Sequence, residues 1–157
     1  MNLTLIGKLQ PDAKQSAALL ETMERFNAAC NAIAEVAFQG RTANKIRLQK
    51  LVYYDIRERF GLPAQMAVRA ISKVAEAYKR DRSKKPSFRP HGAIIYDQRI
   101  LSWKGLDRVS ILTLRGRQLI PVVFGGYQAA HWKRIRGQAD LIYRDGTFYL
   151  AVVVDVP

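Results

Sequence analysis

The sequence predicts an α+β chain: a small β-barrel whose first strand is followed by a three-helix insertion. Three observations carry that expectation. The opening stretch "NLTLIGKL" alternates like a strand. Residues 11–85 then repeat their apolar side chains at three and four, as helices do. From Pro86 onward the apolar period returns to two. A lone N-terminal strand gains most by pairing with the later strands, and barrel closure removes exposed edges. The expected boundaries are therefore 1–10 with 86–157 for the barrel and 11–85 for the helical insertion. At 157 residues, 48% of them hydrophobic, the chain can bury a real core.

The first helix starts after Pro11, where Asp12 can cap it. Within "AALLETMERFNAACNAIAEVAFQ", Leu20, Met23, Cys30, Ile33, Ala34 and Ala37 fall near one face, and Gly40 can supply the left-handed stop. A second helix runs from about Asn44 through "KIRLQKLVYYDIRERF", with Leu48, Leu51, Val52, Ile56 and Phe60 inward and Gly61 ending it. Pro63 suits the first turn of a third helix, packed along Ala67, Ala70, Ile71, Val74 and Tyr78. The strand-rich half reads as "AIIYDQRILSW", "VSILTLRGRQLIPVVF" and "ADLIYRDGTFYLAVVVDV". Asp145-Gly146 is a strong two-residue hairpin signal, and "RGR" at 115–117 a weaker one. Between them, "GGYQAAHWKRIRGQ" reads as a short basic helix carrying Lys133, Arg134 and Arg136.

Charge narrows the function. Twenty-six Lys and Arg stand against 13 Asp and Glu, a formal +13, and such a field attracts polyanions. The run "KRDRSKKPSFR" gathers Lys79, Arg80, Arg82, Lys84, Lys85 and Arg89 around a single acid, Asp81. Like charges that dense need counter-ions, which a phosphate backbone supplies. On the third helix Gln65, Arg69, Lys73, Glu76 and Arg80 align at spacings of four and three. Such a row suits a groove, with Gln at base edges and cations at phosphates; it equally describes a solvated helix face. No apolar run reaches the roughly 20 residues of a bilayer span, and no membrane partner is expected. The start lacks the pattern of a signal peptide, and Cys30 is the only cysteine, so a cytoplasmic address is expected.

Catalytic chemistry is hard to find. His91 and His131 have no partner at metal-ligand spacing, and "FGGYQ" lacks the Lys-Ser/Thr of a phosphate loop. Asp155, closing "VVVD", resembles the strand-end ligand of a metal-dependent nuclease, but cleavage by two metals needs several converging carboxylates. No catalytic residue, metal ligand or cofactor is assigned.

"FNAACNAIAEVAF", "NKIRLQKLVYYDIRERFGLPAQMAVRAISKVAEAYK", "KPSFRPHGAIIYDQRILSW", "VSILTLRGRQLIPVVFGGYQ" and "GQADLIYRDGTFYLAVVVDVP" together resemble the N-terminal part of the TnpB (OrfB) proteins of bacterial insertion sequences. These are RNA-guided DNA endonucleases related to type V CRISPR effectors, and the resemblance extends over essentially the whole chain. It implies a bacterial or archaeal protein with a wedge-like barrel interrupted by a helical recognition domain. The implied partners are a guide RNA and duplex DNA carrying a short transposon-adjacent motif. Carried over to this chain, Tyr53, Tyr54, Gln65 and Arg69 are the implied motif contacts. Residues 79–89 and Lys133–Arg136 would then hold phosphates of the RNA or heteroduplex. The family's RuvC-like nuclease begins beyond a strand like "VVVDVP", with an Asp in an Asp-x-Gly motif; Asp155 is followed by Val156 and Pro157 and does not match. The magnesium and zinc of the family belong to parts not matched here, so a binding function without cleavage is expected. A separately encoded nuclease half as partner, or a nuclease-free DNA-binding regulator, are the alternatives.

Overall fold

The first strand of the chain lies in the middle of its sheet. In the computed structural model, which describes residues 2–105, 107–125 and 138–155, β1 (Asn2–Leu9) pairs with the last strand on one side and with a middle strand on the other. Helices α1 (Ala13–Gln39), α2 (Lys45–Phe60) and α3 (Ala64–Arg80) come next. Six strands follow: β2 (Ile94–Tyr96), β3 (Leu101–Trp103), β4 (Arg108–Thr113), β5 (Gly116–Val123), β6 (Ala139–Arg144) and β7 (Thr147–Asp155). The sheet order is β2-β6-β7-β1-β5-β4-β3, antiparallel throughout, and it curls into a nearly closed barrel. The α+β class and the placement of the helices after β1 are as the periodicities predict.

Two compact units result: Met1–Leu20 with Ala93–Pro157, and Glu21–Gly92. The divisions fall inside α1 and after Gly92, further along the chain than the change of period suggests. Local bonds explain both shifts. The first turns of α1 belong to the barrel unit: Asp12 Oδ1 accepts from Gln15 N at 2.7 Å, Gln15 Oε1 accepts from Asp12 N, and Gln15 Nε2 donates to Leu119 O at 3.0 Å. This reciprocal cap answers the amides that a helix start leaves open. Residues 86–92, in turn, are bonded to α1 within the helical unit, as described below.

In the barrel unit the alternate residues Leu5 and Leu9 of β1, Val109 and Ile111 of β4, and Leu150, Val152 and Val154 of β7 are buried. Period-two patterning is what points one set of side chains inward. At Gly7 the inward face has no room: a Cβ there would come within 2.7 Å of Val122 Cγ2. A side chain bridges the seam between the two ends of the sheet. Tyr96, at the end of β2, donates its phenol to Leu112 O of β4 at 2.7 Å, at the point where Leu112 N, donating to Ile100 O, extends the β3–β4 ladder. Tyr96 is fully buried, which pushes its phenol well above the usual range and keeps it a donor.

The hairpins follow the turn chemistry. Asp145 (φ 50°) and Gly146 (φ 80°) both take the positive dihedrals of a type I′ turn, and Leu114-Arg115 joins β4 to β5 ahead of Gly116. One expectation is corrected. "AIIYDQRILSW" is not a single strand, because Asp97 O accepts from both Ile100 N and Leu101 N while its Oδ1 takes Arg99 N, forming a turn between β2 and β3.

In the helical unit, Met23, Phe26, Cys30, Ile33 and Ala34 of α1 are buried, with Leu48, Val52 and Ile56 of α2 and Ala67, Ala70, Ile71, Val74 and Tyr78 of α3. Burying a side chain the size of Phe26 contributes about 2–3 kcal/mol. Cys30 Sγ faces Ala70 O at 3.8 Å; burial pushes its thiol up to about 12, which leaves it a neutral packing group. Leu51 departs from the expected inward set. It is 58% exposed, because Leu48, Val52 and Ile56, one turn apart, form a buried line too narrow to include it. Gly61 ends α2 at φ 64°, its amide bonded to Arg57 O.

Gly40 is not the left-handed residue that ends α1. Thr42 N bonds back to Ala37 O and Arg41 N to Phe38 O, the pair that defines a Schellman ending, and this places Arg41 at φ 50°. The left-handed residue sits one position beyond the glycine.

Tyr96→Phe removes a side-chain bond across the barrel seam and leaves a part-buried carbonyl short of a donor. The expected loss is roughly 1–3 kcal/mol of unfolding free energy, read from urea midpoints with an unchanged slope.

Candidate nucleic-acid interface

Helix α1 carries Glu24, Asn27, Asn31 and Glu35 at spacings of three, four and four, which puts them on one face. That face holds residues 85–92 like a row of clips. Glu35 Oε2 pairs with Lys85 Nζ at 2.6 Å. Asn31 accepts from Phe88 N at 2.8 Å and donates to Phe88 O at 2.9 Å. Asn27 Nδ2 donates to Pro90 O and Gly92 O, and Glu24 Oε2 lies 3.1 Å from His91 Nε2. Bonds from Lys85 and Gln39 hold the Glu35 carboxyl below its ordinary range. Amide side chains that satisfy both the donor and the acceptor of one residue substitute for a strand neighbour. The segment after Pro86 is therefore a strap, and His91 is part of it.

The basic run divides accordingly. Lys79, Arg80, Arg82, Lys84, Lys85 and Arg89 are all exposed. Lys85 alone among these six is ion-paired within the described residues. Asp81, the acid inside the run, is occupied locally: its Oδ1 accepts from Ser83 N at 3.1 Å and from Ser83 Oγ at 2.5 Å, and these bonds hold its carboxyl below the usual range. Lys79, Arg80, Arg82, Lys84 and Arg89 are left as exposed cations without an acid partner among the described residues. Five such charges within eleven residues repel one another, and a polyanion relieves the repulsion.

The α3 row of Gln65, Arg69, Lys73, Glu76 and Arg80 does not form one solvated face. Gln65, Arg69 and Lys73 are half-buried, whereas Glu76 and Arg80 are exposed. Lys73 Nζ lies 5.7 Å from the centroid of Phe26 and 5.2 Å from that of Phe88, and 3.4 Å from Asn27 Oδ1. A cation held between two ring faces is structural in the first instance; it pins Phe88, and with it the strap, onto the helices.

On α2, Tyr54 is 82% exposed and Tyr53 half-buried, their rings edge to face at 5.1 Å. Arg57 lies over the Tyr53 ring at 5.8 Å while its Nε donates to Leu62 O. A cavity of about 550 Å³ beside them is lined by Ile46, Gln49, Lys50, Tyr53 and Tyr54. Ile46 and Leu51 are exposed on the same helix. Sequence reasoning had singled out the tyrosines but not Ile46 or Lys50, whose signal was an aliphatic residue breaking the buried line of a basic helix.

Asp155 stands at the end of the β1–β7 ladder, opposite Asn2. Among the described residues no three His, Cys, Asp or Glu side chains gather as a metal-holding group. The predicted basic helix with Lys133, Arg134 and Arg136, together with His131, lies outside the described residues. Among the described residues no helix is long and apolar enough to cross a membrane. Compared with protein-family models and with curated proteins, the sequence matches none.

The strap geometry separates neighbouring lysines. Lys84→Ala is expected to weaken polyanion binding and lower the salt slope by about one, whereas Lys85→Ala changes it far less. Glu35→Gln, by releasing Lys85, is expected to raise the slope. All three are read from binding isotherms at several salt concentrations, and equal slopes for K84A and K85A would contradict the division.

Proposed function

We propose that the chain binds nucleic acid and does not cut it, in the manner of the N-terminal part of a TnpB-type RNA-guided nuclease. The observation that carries this reading is the set of exposed, acid-free cations at Lys79, Arg80, Arg82, Lys84 and Arg89. Their density on one short segment suits a phosphate backbone, which presents regularly spaced charge and exchanges its counter-ions for them. The polyanions proposed are a guide RNA and a duplex target. In that arrangement the protein contributes shape and a short motif, and base pairing contributes sequence.

The rest of the geometry supports the reading at lower resolution. The order of strand, three helices and barrel agrees with the wedge and recognition arrangement that the resemblance implies. The exposed Tyr54, beside Lys50, offers a ring to a base with a cation near its phosphate. Gln65 and Arg69, half-buried on α3, are proposed as motif contacts whose reach is short. Lys133, Arg134 and Arg136 are proposed as further phosphate contacts on sequence grounds alone.

Filter binding to structured RNA and to duplex DNA across salt tests the proposal. The logarithm of affinity should fall linearly with the logarithm of salt, by about 0.7–0.9 per phosphate neutralised. Replacing Lys79, Arg80 and Lys84 together by Ala should reduce the slope by two to three, for any sequence. With magnesium present the bound strands should stay intact. Failure to bind either polymer at low ionic strength would refute the proposal, and magnesium-dependent scission would refute its non-cutting half.

A further inference from the structure

Where α1 ends, the chain does something costly. Arg41 occupies the left-handed position of the Schellman ending, at φ 50°, although a glycine precedes it. A side chain in that conformation is less stable than glycine by roughly 1 kcal/mol. An unfavourable backbone retained at one residue is a reason to ask what its side chain does.

Arg41 lines a pocket of about 220 Å³ together with Phe38, Tyr78, Arg82 and Ser83. All five belong to the helical unit. Phe38 and Tyr78 meet edge to face, centroids 6.1 Å apart, and Phe38 keeps 37% of its surface exposed while Tyr78 is buried. Neither guanidinium has an acid partner among the described residues. Asp81, the acid next to Arg82 in sequence, accepts from Ser83 instead. The pocket thus joins two unneutralised forks of donors to a partly open aromatic ring.

We infer that this pocket binds one nucleotide unit of a nucleic-acid strand, its phosphate between Arg41 and Arg82 and its base against Phe38. Guanidinium groups bind phosphate oxygens bidentately, and an aromatic face accepts any base, so the pair recognises a nucleotide without reading its identity. The inference rests on the nucleic-acid-binding reading and adds Phe38 and Arg41 to it. The phosphate has two possible sources, a strand end or an internal phosphodiester. The ends of α1 and α3 also attract cations through their free carbonyls, a role that Lys would fill as well as Arg.

Arg41→Gly makes the test independent of folding, because glycine suits the left-handed backbone and should leave the melting temperature at or above that of the parent. Short RNAs with a 3′ dye, 5′-phosphorylated or 5′-hydroxyl, would be titrated by fluorescence anisotropy against the parent, R41G, R41K, R82A and K84A. R41G and R82A are expected to bind about tenfold more weakly, and R41K several-fold more weakly. Loss confined to the phosphorylated RNA identifies a strand end; equal loss for both identifies an internal phosphodiester; either supports the pocket. Folded R41G and R82A that bind both RNAs like the parent would overturn the inference while K84A still weakens binding. An R41K indistinguishable from the parent, with R41G merely less stable, would reduce Arg41 to a helix-end charge. A parent that binds neither RNA would instead refute the wider reading.

Discussion

Seven residue pairs, from Asn2↔Asp155 to Lys8↔Tyr149, hold the first strand against the last. The rest of the barrel unit depends on that ladder. With β1 removed, β7 would lose one neighbour and β5 would lose its link to the other half of the sheet. Closing a loop of nearly the whole chain is slow and entropically costly, although the cost grows only logarithmically with length. It explains why a three-helix excursion is tolerated between β1 and β2: once the ends are paired, the length of the connection matters little.

The excursion has its own constraint, the disposal of charge. Acids are scarce, and those with visible partners serve local structure. Glu35 clips Lys85, Asp55 takes Arg59 one turn on, and Asp81 caps its own turn through Ser83. Surface pairs of this kind contribute little stability each, on the order of 0–1 kcal/mol. Their consequence lies in what they leave over. The strap fixes the segment from Lys85 on, and the cations just before it, at 79–84, have no acid partner among the described residues. A segment so charged is poorly suited to be merely a solvated connection, and it is the strongest physical argument for a polyanionic partner.

Much of this was legible in the residues. The switch of apolar period marks the helical excursion, Asp145-Gly146 specifies its turn, and Asn44 and Gly61 bound α2 where their chemistry predicts. What was illegible depends on contacts between residues distant in sequence. Nothing in "KKPSFRPHG" announces that Asn27 and Asn31 will bind its backbone, because those partners lie 57 to 65 positions away. Lys73 reads as one member of a cationic row until Phe26 and Phe88 are seen on either side of it. Leu51 looked like core because three- and four-residue spacing cannot reveal how wide a stripe the neighbouring helix covers. Arg41 was hidden by Gly40, the more ordinary candidate for a left-handed stop.

The account's central claim is that the unanswered cations Lys79, Arg80, Arg82, Lys84 and Arg89, and not the basic segment as a whole, meet the polynucleotide. Lysine acetylation footprinting of the folded chain, with and without structured RNA, measures this residue by residue. Lys79 and Lys84 should become protected on binding, and Lys85, already held by Glu35, should change little. Protection spread evenly over all the lysines, or no protection at saturating RNA, would contradict it.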